Sequence, residues 1–209
     1  MHGNCMGEVE EFHPVVNFPP SYWVHDFSKS STKSWSNPFE FSVGRYDEFR
    51  PDMYTEALFE GERCHHIGLD LGAPVGTPIH AFDDGEVVGI IDHTTPGSYG
   101  PTIVTHHHVD PKRLNLESKA EKVPVWVLHG HLNWASILHF TEGQSIHRGQ
   151  IIGCLGSPEE NGGWPPHVHV QLSLQPPINL DMPGVVAKRD VSAALQQYLD
   201  PRLICGPLY

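Results

Sequence analysis

The chain lacks the features that would place it in a membrane or on a nucleic acid. In 209 residues there is no apolar run of the length, about 20 residues, that spans a bilayer. Lys and Arg number 13 against 25 Asp and Glu, a formal net charge of −12. Phosphate backbones and anionic lipid need a basic face, so this balance argues against non-specific binding to either. The four cysteines, Cys5, Cys64, Cys154 and Cys205, are scattered. No Cys-x-x-Cys pair exists to bind zinc or to run dithiol chemistry. The start, "MHGNCMGEVEEFHPVV", has neither the basic region nor the apolar run of a secretory signal. The default expectation is a reduced cytoplasmic protein with free thiols.

Helix-like periodicity is also scarce. Glycine (20) and proline (19) are plentiful and favour turns and short strands. The spacing predicts strands in "HIGLDL", "GPTIVTHHHV", "VPVWVLHGHL" and "HVHVQLSL". It predicts strand–turn–strand units in "TPIHAFDDGEVVGII", with an Asp-Gly turn, and in "SIHRGQIIGCLG". These two units echo each other, Gly76 matching Gly143 and His80 matching His147. Only 132–140 and 190–199 read as helical, the second with Asp190 as its cap. Residues 111–122 read as an exposed excursion. Residues 1–60 read as an irregular segment whose aromatics pack on a core at 61–175, and 176–209 as an extension with a short helix.

Histidine is what the sequence has in excess, 16 in all. In "PPHVHVQL" strand alternation puts His167 and His169 on one face, with Val168, Val170 and Leu172 on the other. His129 and His131 repeat this spacing in "LHGHL". In "HHIGLDLG", His66, Gly68 and Asp70 share a face, but an ideal strand holds positions i and i+4 about 13 Å apart. A bend at Gly68, the residue that tolerates it, would bring His66 and Asp70 around one ion. Two imidazoles and a carboxylate make three ligands and leave a fourth zinc position for water. Other histidines would then move protons and stabilise an oxyanion.

The ordered set "HIGLDLGAPVGTPIHAFDDGEVV", "GHL", "EGQSIHRGQIIGCLG" and "NGGWPPHVHVQL" resembles the lysostaphin/LytM-type zinc metallopeptidases, the murein endopeptidase family. The resemblance implies a compact antiparallel β-sandwich, mainly β, with a groove over one Zn2+ per chain. It implies His66, Asp70 and His169 as metal ligands and His131 and His167 as catalytic histidines that do not bind metal. It implies a peptide substrate, with peptidoglycan cross-links the family's own target. The flanks "VGRYDEFR", "GERCHH" and "LDPRLICGP" resemble a version of the domain fused to class III aminotransferases in some bacteria. Murein lies outside the cytoplasm, so a murein substrate would place the chain there instead.

Other readings stay open on the sequence. A non-catalytic module of the same fold would bind a peptide or partner without cleaving it. A cupin would also use His-x-His on a strand, but needs a Glu that follows neither His131 nor His169. A biotinyl- or lipoyl-type carrier would need an attachment lysine in the glycine turns. Tyr46, Asn161 and Trp164 are read as groove, core or turn residues. His129 and His106–His108 are read as surface histidines. Cys64 is read as a small buried thiol.

Overall fold

The structure, a computed structural model, describes residues 11–29 and 35–209. Cys5, most of the opening stretch and residues 30–34 of the serine-rich loop lie outside the described residues. The early segment carries three short strands, β1 (Trp23–Val24), β2 (Ser42–Gly44) and β3 (Glu48–Phe49). Next come β4 (Arg63–His66), β5 (Leu69–Gly72), β6 (Pro78–His80), β7 (Gly85–His93) and β8 (Gly100–Val109). They are followed by β9 (Val123–Gly130), β10 (Ser145–Ile146), β11 (Ile151–Cys154) and β12 (His167–Ser173). The last strands are β13 (Val185–Ala187) and β14 (Tyr198–Leu199). Helices are short: α1 (Trp134–Leu138), α2 (Val191–Gln197) and α3 (Arg202–Cys205). The chain is mainly β, and no helix of the described residues is long and apolar enough to cross a membrane.

Among the described residues nine strands form one sheet, in the order β1-β2-β5-β12-β9-β8-β7-β10, with β14 beside β12. Its neighbours are antiparallel except β1 and β2. Strands β5 and β12 are buried along their whole length. On one face Leu69, Leu71, Val125, Val127, Val168, Val170 and Leu172 join the larger apolar cluster. Each such side chain contributes about 1.5–3 kcal/mol of burial. The opposite face carries a second cluster, Ile67, Val104, Leu128, Met182, Val186, Ala194 and Tyr198. Polar residues on that second face, Asp70, His167, His169 and Gln171, are therefore taken out of water by the packing around them. A smaller sheet, β13-β4-β3, lies beside this face and delivers His66 at the end of β4.

The two strand–turn–strand units do not close as hairpins. Strand β6 pairs with β11 and β7 with β10, so each unit is completed by the other. Their echo survives in the turns. Gly76 and Gly143 both have left-handed φ, 81° and 78°, and the next residue donates back to Pro74 and to Thr141. That is the conformation glycine supplies at the third position of a type II turn. Asp190 precedes α2 without capping it; its side chain accepts nothing from the helix, and a 3-10 turn leads in. The 111–122 excursion is anchored by buried Pro111 and Leu114.

Candidate active site

The bend expected in "HIGLDL" falls at Gly68, between β4 and β5. It brings His66 Nε2 to 3.1 Å from Asp70 Oδ1. His169 stands directly across from Asp70 in the β5–β12 register. Its Nδ1 is 3.0 Å from Asp70 Oδ1 and 3.2 Å from His66 Nε2. Gly68 has a second task that spacing did not reveal. A Cβ there would sit 2.2 Å from Cε1 of His169, so only glycine leaves room for the ring.

The outer partners of these rings decide which nitrogens face inward. His66 Nδ1 donates to the Arg45 carbonyl at 2.8 Å, leaving a lone pair on Nε2. The Gln171 amide donates to the Pro183 carbonyl, which turns its Oε1 toward His169. His169 Nε2 donates to that oxygen at 3.2 Å and leaves its lone pair on Nδ1. Two lone pairs and a carboxylate oxygen thus converge in a buried place, an arrangement a cation relieves. Tetrahedral zinc with bonds of about 2.0–2.1 Å spaces its ligand atoms about 3.3 Å apart. The observed 3.0–3.2 Å triangle fits such an ion.

Electrostatics reinforce the arrangement. Burial, then the Arg50 charge, pushes His66 down to about 4, so the ring is neutral at ordinary pH. Burial works to raise the Asp70 carboxyl, but it lies well below the usual carboxylate range, with the Arg50 guanidinium the permanent positive charge beside it. Arg50 is fully buried. It donates to Asp70 Oδ2 at 2.8 Å, to Glu48 Oε2 at 2.8 Å and to the Tyr54 hydroxyl at 3.0 Å. Asp70 Oδ1 is left facing the histidines.

His131 and His167 lie beside the triangle, with ring centroids 4.3 Å apart. His131 Nδ1 donates to the Asn161 carbonyl at 2.7 Å and His167 Nδ1 to the Pro165 carbonyl at 2.6 Å. Each therefore presents a neutral Nε2; that of His167 is 3.7 Å from Asp70 Oδ1. Burial lowers both rings, His131 strongly. Trp35 stacks on His167, centroids 4.8 Å apart. All five singled-out residues line one pocket, walled by Trp35, Tyr54, Tyr99 and Trp164.

His129 does not share a face with His131. Strand alternation turns His129, fully buried, toward the larger apolar cluster beside Val127 and Val170. His131 reaches the pocket only because its backbone turns left-handed, φ 64°. His129 is thus neither exposed nor near the reacting groups. His107 is also buried, His106 is half-buried against Glu86, and only His108 is exposed; none of the three lines the pocket. Trp164 does line it. Asn161 ties the Gly156–Trp164 turn, and Tyr46 donates to the Tyr198 carbonyl outside the pocket. Sequence reasoning missed Arg50, Tyr99, Trp35 and Gln171. Only Gln171 carried a signal, standing two residues beyond His169 on the same strand face.

The buried His–Asp–His triangle, with two neutral imidazoles beside it, defines a class of site: three ligand atoms that could hold one metal ion. The family follows from the sequence. Residues 64–179 match peptidase family M23, and the chain belongs to that family. It is 27% identical over 138 residues to the peptidoglycan DD-endopeptidase ShyA of Vibrio cholerae, 61% of this chain and 26% of that protein. A 96-residue stretch is 30% identical to a tRNA-2-methylthio-N(6)-dimethylallyladenosine synthase of Symbiobacterium thermophilum, 45% of this chain and 20% of that protein. The chain thus matches about a quarter or less of the length of these curated relatives. Among solved structures, the catalytic domain of the antimicrobial peptidase lysostaphin from Staphylococcus simulans is 19% identical. The superposition has a TM-score of 0.47 and covers 80% of this chain and 93% of that one.

Proposed function

We propose that the chain is a zinc-dependent metalloendopeptidase that hydrolyses a peptide bond in short or cell-wall-type peptides containing glycine or D-amino acids. The observation that carries this reading is the convergence of His66 Nε2, Asp70 Oδ1 and His169 Nδ1 within 3.0–3.2 Å of one another. These three atoms would hold one Zn2+. When bound, zinc supplies Lewis acidity and lowers the pKa of a coordinated water toward about 7.

The remaining chemistry belongs to the chain. His131 and His167 present neutral Nε2 atoms because carbonyls hold the opposite nitrogens as donors. One takes the proton of the attacking water and passes it to the leaving amine. The other stabilises the charge that builds on the carbonyl oxygen as an imidazolium, its Nε2 taking up a proton from solvent while Nδ1 stays on its backbone carbonyl. Trp35 and the Pro165 carbonyl hold the His167 ring in place. Aromatic walls exclude water around the reacting bond.

The test compares His131→Gln, His167→Gln and His66→Ala for metal content and for cleavage of muropeptides and glycine peptides, followed by mass spectrometry. The first two variants keep about one zinc per chain and lose hydrolysis by about 10²–10⁴-fold. The third loses zinc. Hydrolysis surviving in either of the first two overturns the roles given to these histidines. A wild-type chain without stoichiometric zinc overturns the peptidase reading itself.

A further inference from the structure

We propose that Arg63 recognises a carboxylate of the peptide substrate next to the scissile bond. This rests on the peptidase reading above and adds the substrate chemistry. Arg63 begins β4, three residues before His66, and lines the same pocket. Its guanidinium is fixed by pocket-lining groups. Nε donates to the Val185 carbonyl at 2.7 Å and Nη1 to the Leu58 carbonyl at 3.3 Å. The Phe59 ring lies 5.8 Å from its Cζ.

These partners position the group without neutralising it. Arg63 is half-buried, yet among the described residues no carboxylate lies within ion-pair distance. Arg50, the other arginine of the pocket, is fully consumed by Glu48 and Asp70. Its charge is not available to a ligand. Asp181 lines the pocket too, but it is exposed and makes no ion pair with Arg63. Arg63 shares the pocket with Tyr99, whose ring packs 5.1 Å from the His169 ring. A positioned guanidinium with free N–H donors and no ion-pair partner among the described residues, in the same pocket as the proposed metal ligands, is built for an anion. A planar carboxylate is the anion that a peptide offers and that the guanidinium fork matches.

That carboxylate has two sources, a C-terminal α-carboxylate or a carboxylate carried by a residue of a cross-link. Two matched pairs separate them. One is pentaglycine against pentaglycine amide. The other is a D-Ala–diaminopimelate cross-linked muropeptide against the same compound with the diaminopimelate carboxylate amidated. The zinc-loaded wild type is expected to prefer the acid in one pair by about 10- to 100-fold in kcat/KM, mostly through KM. Arg63→Met is expected to reduce that preference below about 3-fold at unchanged zinc content. Arg63→Lys, which keeps the charge without the fork, retains part of it and serves if the Met variant does not fold. Asp181→Asn raises the preference by removing a competing negative charge. A wild type that cleaves acid and amide equally well in both pairs overturns the proposal and leaves the peptidase reading standing. So does a preference that survives Arg63→Met. Failure of the zinc-loaded wild type to cleave any of the four overturns the reading beneath it.

Discussion

Arg50 Nη1 lies 2.8 Å from Asp70 Oδ2, and neither side chain is more than 3% exposed. The pair fixes the carboxylate so that one oxygen is spent on the guanidinium and the other faces His66 and His169. Burial raises the pKa of Glu48, the second partner of Arg50, against the opposing pull of the Arg50 charge. Removing the arginine would strand two buried acids. Arg50→Met is expected to cost about 3–5 kcal/mol of stability, seen as a lower urea midpoint in chelator-treated protein. An unchanged midpoint would show that the triad contributes nothing to the fold.

Gln171 sets which nitrogen of His169 carries the proton. Gln171→Leu removes the acceptor and is expected to weaken zinc binding by about 10- to 100-fold, whereas Gln171→Glu keeps it. Long-range 15N NMR of histidine-labelled, zinc-free protein reports the tautomer directly. The wild type should show His169 protonated at Nε2, and the Leu variant a mixture. Identical spectra would mean that Gln171 is only a packing residue.

Gly68→Ala tests space rather than backbone freedom. The new methyl would collide with the His169 ring, and the backbone at Gly68 is not left-handed. Expected is a folded protein with zinc affinity reduced at least about 10-fold, since ring displacement disturbs one ligand. Wild-type affinity, measured by competition with a chelating dye, would rule the steric account out.

The larger apolar cluster holds a pH liability. His129 is fully buried beside it, and neither ring nitrogen has a partner among the described residues. It leans toward the Ile103 backbone without reaching hydrogen-bond geometry. Burial, then His107, pushes it down to about 3; burial pushes His107 down to about 4. Both would titrate near 6.5 when unfolded. Below that value the unfolded chain takes up protons that the folded chain refuses. Stability is therefore full above pH ~6.5 and is lost as pH falls toward the folded values, by about 1.4 kcal/mol per unit for each histidine. His129→Leu should raise stability at pH 7 by about 1–3 kcal/mol, the cost of an unpaired buried N–H. It should also flatten the slope between pH 6.5 and 4.5. Parallel wild-type and variant curves in urea titrations of metal-free protein would refute this.

Much of this was legible in the residues, for local reasons. Strand β8 is marked by its β-branched run, and β12 by an alternation that the sequence carries in plain form. The convergence of His66, Asp70 and His169 followed from motif order and from the one glycine that lets His66 and Asp70 meet. What escaped was non-local. Strand pairing between the two glycine-turn units is set by contacts some seventy positions apart, so a period-2 pattern cannot show that β6 prefers β11 to β7. His129 and His131 look equivalent in "HGH" until the backbone changes hand at the second. Arg50 and Arg63 look alike among surface charges. Only the fold reveals that one is paired with two acids and the other, among the described residues, with none.

The separation of the ligands along the chain bears on how the protein is made. His66 and His169 stand 103 residues apart, and the strand bearing His169 is laid between β5 and β9, both synthesised earlier. A nascent chain that has emerged only through β11 holds two of the three candidate ligand residues and one of the two flanking imidazoles. The candidate site is complete only when β12 joins β5 and β9, and such late long-range closure belongs to slow-folding topologies.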